Sequence, residues 1–176
     1  ALFERAFEGG YNFMDFYASS DTCQQMVRVV ENIHELELIG NERFGYGIID
    51  APMKVSPHGL KLYKEQIYKE LLLPLSENYG VDISDGAIRA AVKEHNEMCA
   101  VFEEISELRK EDNPLITPRE FHILCMVSYC CPTGLLLPNL KETLEELRLR
   151  ERDPIDRWRA RVAEVGSELD DYAFDE

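Results

Sequence analysis

Five cysteines and four histidines are the side chains in this sequence best suited to chemistry, and one of them is placed better than the rest. Cys23 lies within YNFMDFYASSDTCQQMVRVVE, residues 11–31. It directly follows the polar turn Ser19-Ser20-Asp21-Thr22 and directly precedes a helical pattern. A strand that feeds a helix through a short polar loop is where open α/β sheets place their chemistry, at the carboxyl end of the strand. A thiol there lies within about one turn of the helix's unpaired N–H groups and the positive end of its dipole, both of which favour thiolate.

The other candidates have plainer explanations. Cys99 and Cys125 fall on apolar helix faces, where a free cysteine acts as a small buried hydrophobe. Cys130 and Cys131 are adjacent, and adjacent cysteines rarely ligate one metal together. His34, His58, His95 and His122 are scattered, with no HExxH spacing. His58 follows the capping pair Ser56-Pro57, which makes it a first-turn residue near solvent, although its loop could approach a ligand. Glu103-Glu104, Glu145-Glu146 and Asp170-Asp171 are most simply solvated faces. Neither Gly9-Gly10 nor Gly45-Tyr46-Gly47 makes a phosphate-binding fingerprint, and GxSxG is absent.

The totals exclude several classes. The chain has 176 residues, 45% apolar and 30% charged, which suits a globular fold. With 19 Lys and Arg against 34 Asp and Glu, and a formal charge of −15, it is poorly suited to nucleic acid or an anionic membrane surface. No apolar run approaches the roughly 18 residues of a spanning helix, and the opening ALFERAFEGG is no signal sequence. An odd number of cysteines, none in CxxC, favours a reducing cytoplasm. Both ends read as cuts, as expected of a fragment.

The positioning elements follow in order. A helix end at residues 2–7 is stopped by Gly9-Gly10, and residues 11–18 form a strand. A helix from Gln24 to Leu38 ends at Gly40-Asn41, and residues 44–51 form a second strand that delivers Pro52, Met53 and Lys54 to a loop. Ser56-Pro57 opens a long helix with a buried stripe at Leu60, Tyr63, Ile67 and Leu71; Pro74 bends it and Gly80 closes it. Ser84 caps a helix reaching about Lys110, with Ile88, Val92, His95 or Asn96, Cys99, Phe102, Ile105 and Leu108 on one side. Thr117-Pro118-Arg119-Glu120 has capping-box spacing and opens a more apolar, more buried helix through Cys130. Another helix starts at Pro138 or Asn139 and runs to about Arg152, and a strand begins near residues 160–166. The fold class expected is α/β. Residues 1–55 belong to one α/β domain, 56–154 form a helical section, and 155–176 start a second α/β unit.

The order of these motifs resembles the 2-hydroxyacyl-CoA dehydratase family, whose relatives include the ATP-dependent benzoyl-CoA reductases. SSDTCQQMVRVVE resembles the family's cysteine segment after a strand. GIIDAPMKVSPHGLKLYKEQI looks like its following strand, loop and helix, and VDISDGAIRAAVKEHNEMCAVFEEISELRKEDNPLITPREF is similar to its helical section. RARVAEVGSELDDYAF looks like the entry to a second Rossmann-like domain. The resemblance implies a fragment of a two-domain, Rossmann-like iron–sulfur subunit. It implies a related second subunit, an acyl-CoA substrate and an ATP-dependent iron–sulfur activator that injects a low-potential electron. It also implies a [4Fe-4S] cluster held by three cysteines, of which only Cys23 matches here, with Ser19, Ser20 and Asp21 lining the site. One of three ligands should not hold the cluster, so the piece alone is expected to lack it and to be inactive. Two rival readings are a non-catalytic acidic helical interaction module with a buried, structural Cys23, and a cysteine-nucleophile enzyme, for which no His or Asn partner can be placed.

Overall fold

The computed structural model describes residues 2–152, and the strand expected near residues 160–166 lies outside them. The chain divides into two compact units, Ala1–Ala87 and Ile88–Glu176. Most of the described residues are helical, with one small parallel sheet among them, an arrangement compatible with the α/β class.

The first unit begins with α1 (Leu2–Phe7), then β1 (Phe16–Ser20), α2 (Gln24–Glu35) and β2 (Gly45–Ile49). β1 and β2 pair in parallel from Phe16 opposite Gly45 to Ser20 opposite Ile49, so β1-α2-β2 is a single βαβ crossover. β1 starts later than the aromatic run suggested. Residues 11–13 turn instead, and Tyr11 and Met14 pack against the small core of Ala6, Ile33 and Ile39. A strand forms only where a partner offers a ladder, and β2 offers none before Gly45.

α2 also stops before the expected Gly40. The N–H groups of Glu37 and Leu38 return to the carbonyls of His34 and Ile33, a Schellman closure with Glu37 in the left-handed position at φ 48°. Leu38 is then free to pack beside Ile39 under the core.

Ser56 opens α3 (Pro57–Ile67) by accepting the Gly59 N–H at 3.0 Å, with Pro57 in the first turn as anticipated. The expected bend resolves into a π-helical turn, Tyr68–Leu72, which leads into α4 (Leu73–Tyr79) with Pro74 in its first turn. A π-turn accommodates one extra residue, and Pro74 lacks the N–H that continuing the α-helical pattern would use. The stripe assigned to this helix is observed only in its second half, where Ile67 and Leu71 are half-buried. Leu60 is 70% exposed and Tyr63 is exposed too, while Gly59 is the residue fully covered.

The turn rests directly on the sheet. A Cβ at Gly47 would stand 1.8 Å from the Glu70 carbonyl oxygen, so only glycine admits this approach of backbone to β2. Tyr79, at the end of α4, reaches the opposite end of the strands. Its hydroxyl lies 2.5 Å from the Asp15 carbonyl and 2.6 Å from that of Arg43, and its single proton serves one of them at a time.

The second unit is built on α5 (Asp85–Glu107, whose first residues belong to the first unit), α6 (Pro118–Cys130) and α7 (Thr133–Leu149). Met98, Val101 and Ile105 of α5 meet Leu136, Leu137, Leu140, Leu144 and Leu147 of α7, with Ile116 beneath. The spacings are those of two helical stripes. Glu97 pairs with Lys141 and Glu104 with Arg148, both at 2.5 Å, so the two helices run in the same direction and α6 returns between them. These exposed pairs report the alignment and contribute little stability.

Three expectations are corrected here. The core face of α5 is centred on Met98, Val101 and Ile105, leaving Ile88, Val92, His95 and Cys99 exposed. α6 has no fully buried residue; Phe121 and Leu124 touch the core, whereas Ile123, Met126, Val127 and Tyr129 are exposed. α7 starts at Thr133 rather than at Pro138 or Asn139, because Leu136 and Leu137 gain burial that outweighs the helical hydrogen bond Pro138 cannot make.

The capping box at Thr117 is present as read. The Thr117 hydroxyl accepts the Glu120 N–H, and the Glu120 carboxylate accepts the Thr117 N–H at 2.9 Å and also Arg150 at 2.9 Å. Partial burial raises the carboxyl pKa, but these bonds outweigh it and hold the group below the usual carboxylate range. A depressed pKa contributes stability that is present above the unfolded value, about 4.3, and lost as pH falls through the folded value. Glu120→Gln is therefore expected to flatten the acid limb of the unfolding curve below about pH 4.5 relative to wild type. Melting temperature measured against pH checks this.

Candidate functional site

Because β1 and β2 are parallel and in register, their carboxyl ends stand level, and the loops leaving them emerge side by side. Asp21 joins those loops. Its N–H donates to the Ile49 carbonyl at 3.1 Å, extending the ladder by one residue, and its carboxylate accepts the Ala51 N–H at 2.9 Å. The Ser20 and Thr22 hydroxyls bond each other at 2.7 Å across the same turn. Ser19 makes only a long 3.4 Å contact to the Ser20 carbonyl.

Cys23 follows as the N-cap of α2, with extended φ −126° and ψ 104°. Its carbonyl accepts the Val27 N–H at 3.1 Å, while its side chain makes no capping bond and is exposed. The first-turn N–H groups of α2 thus have no side-chain cap, and a negative ligand or a thiolate is the natural complement of such an end. The thiol is exposed among the described residues, where the structural reading of Cys23 expects burial.

The second loop has a defined path. Ser56 ends it as the cap of α3, and a Cβ at Gly59 would stand 2.5 Å from the Lys54 carbonyl. Held in this way, the loop leaves Met53 and Val55 fully exposed, with Lys54 and His58 also at the surface.

Ser19, Ser20, Asp21 and Cys23 are therefore brought together. The other cysteines lie in the second unit. Cys99 is exposed, not core, and its sulfur sits 3.4 Å from His95 Nε2 one helical turn away. Cys125 is half-buried, and that burial pushes its thiol pKa up against the opposing pull of Arg109. Cys130 is exposed and Cys131 half-buried. Among the described residues no three His, Cys, Asp or Glu side chains are grouped to hold a metal ion.

A family model for the 2-hydroxyglutaryl-CoA dehydratase D-component matches residues 1–174. The chain belongs to this family. Comparison with individual curated proteins gives no match. The family description makes the chain a component of a dehydratase, and so part of an enzyme with further components. No described helix is long and apolar enough to cross a membrane.

Sequence reasoning missed two positioning groups in this dehydratase component. The sheet-facing role of Tyr79 had no local signal, because its partners lie 64 and 36 residues away. Asp21, expected to line the site, also accepts the Ala51 N–H of the neighbouring loop, a contact that no local pattern signals. Asp21→Ala is expected to cost about 1–2 kcal/mol and to speed amide exchange at Ala51, whereas Asp21→Asn keeps an acceptor and should retain most of the protection. Hydrogen exchange on the two variants distinguishes these outcomes.

Proposed function

We propose that this chain is part of the iron–sulfur subunit of a 2-hydroxyacyl-CoA dehydratase, or of a benzoyl-CoA reductase-type enzyme, with Cys23 as one thiolate ligand of a [4Fe-4S] cluster. The observation that carries the reading is an exposed Cys23 at the uncapped head of α2, on the carboxyl edge of a parallel sheet, in a chain of this family. In this reading Cys23 is one ligand of several, as the described residues group no three His, Cys, Asp or Glu side chains. The remaining ligands come from outside them.

When bound, such a cluster supplies the low-potential electron that radical dehydration or reduction of an acyl-CoA thioester requires. The chain's own residues do simpler work. Cys23 provides a ligand, the first-turn amides of α2 favour its negative charge, and Asp21 keeps the 50–56 loop alongside. In this reading residues 1–55 belong to a Rossmann-like domain, 56–154 form its helical section, and 155–176 begin a second such domain. A related subunit and an ATP-dependent iron–sulfur activator complete the enzyme, and five free cysteines suit a reducing cytoplasm.

The test is the iron and sulfide content of the full-length protein purified without oxygen. Wild type is expected to be brown, and Cys23→Ala to lose most of its iron while retaining its circular dichroism. Unchanged iron in the variant would overturn the assignment.

A further inference from the structure

α5 carries a pair of metal-binding side chains for which the reading of Cys23 has no use. His95 and Cys99 stand four residues apart, on the same face of successive turns. Cys99 Sγ lies 3.4 Å from His95 Nε2, and both side chains are exposed. Both residues lie well inside α5, away from ends that could fray, so a rigid backbone holds the two donors together.

Packing does not account for this meeting. The core face of α5 is Met98, Val101 and Ile105, and neither His95 nor Cys99 joins it. At the surface water satisfies imidazole and thiol alike, so stability does not require them to touch.

A thiolate and an imidazole are ligands that zinc prefers, at about 2.3 Å and about 2.0 Å, and a tetrahedral centre at those lengths sets them about 3.5 Å apart. The separation of Sγ and Nε2 already has that size, so one ion can bridge them without moving the helix. Calcium and magnesium take oxygen ligands and would use neither atom. A linear two-coordinate ion would hold its ligands on opposite sides, farther apart than these two atoms stand. The local charge suits a cation, since residues 91–103 carry Glu94, Glu97 and Glu103 against Lys93.

The geometry points to an open zinc site on α5, with His95 Nε2 and Cys99 Sγ as its protein ligands and water in the remaining positions. Among the described residues no third His, Cys, Asp or Glu joins them, which leaves the site open. Zinc takes the thiolate, so binding releases the Cys99 proton to solvent and no electron moves. The bridging ion ties two successive turns of α5. The site lies in the second unit and does not depend on the cluster assigned to Cys23.

Calorimetric titration with zinc alone tests it, with a phosphine as reductant, on the 176-residue chain in the background C23A/C130A. That background removes the other two exposed thiols among the described residues. One zinc is expected to bind, and adding His95→Ala or Cys99→Ala should each weaken its binding about tenfold or more. Circular dichroism should stay unchanged in both, since the two side chains are exposed. Zinc should also slow amide exchange over residues 95–99, and should do so in neither variant. No zinc binding, a loss with Cys99→Ala but not with His95→Ala, or exchange unmoved by zinc would overturn the proposal.

Discussion

Alanine in place of Gly47 is expected to lift the π-helical turn off the sheet and to destabilise the first unit by roughly 3 kcal/mol or more. The added Cβ would lie 1.8 Å from the Glu70 carbonyl oxygen and 2.9 Å from its carbon, with the Phe16 ring at 3.4 Å. A flexible side chain could rotate away, but Glu70 meets Gly47 with its backbone, within a turn that joins α3 to α4. Relief therefore requires the helix to move as a body. That movement would also carry Tyr79 from the Asp15 and Arg43 carbonyls at the start of the strands. Urea denaturation reads the loss. Gly86→Ala is the control, because the nearest atom to its Cβ is Ser84 Oγ at 3.9 Å, and alanine is the better helix former there. A Gly47→Ala protein as stable as wild type would show that the turn does not bear on β2.

The second large effect belongs to the helical unit. Ile105 is 0% exposed, in a core with Ile116, Leu140 and Leu144. Truncation to alanine is expected to cost about 2–5 kcal/mol, the spread depending on how far the α5 and α7 stripes can close on the cavity. Val92→Ala on the same helix should stay within about 0.5 kcal/mol, since Val92 is 53% exposed. This pair of variants bears directly on which face of α5 is buried. The sequence pattern placed Val92, Cys99 and Ile105 on one side, and the structure separates them. Equal costs for both truncations would contradict the observed packing, and guanidinium denaturation of each variant decides it.

The sequence by itself determined the features that depend on neighbouring residues. Thr117 and Glu120 announce a capping box, Ser56 and Pro57 a helix start, and Gly80 a left-handed helix stop, because each is a bond or dihedral set within a few residues. The placement of Cys23 between a strand and a helix was legible for the same reason, and collinear motifs were enough to indicate the family. Tertiary structure decided whatever depends on a partner distant along the chain. β1 begins at Phe16 because β2 begins at Gly45. α5 presents Met98 and Val101 because α7 lies against them, although its other stripe is nearly as apolar. α6 reads as a core helix, yet it touches this core through Phe121 and Leu124. Hydrophobicity states that a face can be buried; only a surface brought from elsewhere determines whether it is. The loop edge around Cys23 shows both contributions. Local sequence placed the thiol at the head of α2, and a bond from Ala51 to Asp21, thirty residues apart, set the second loop beside it.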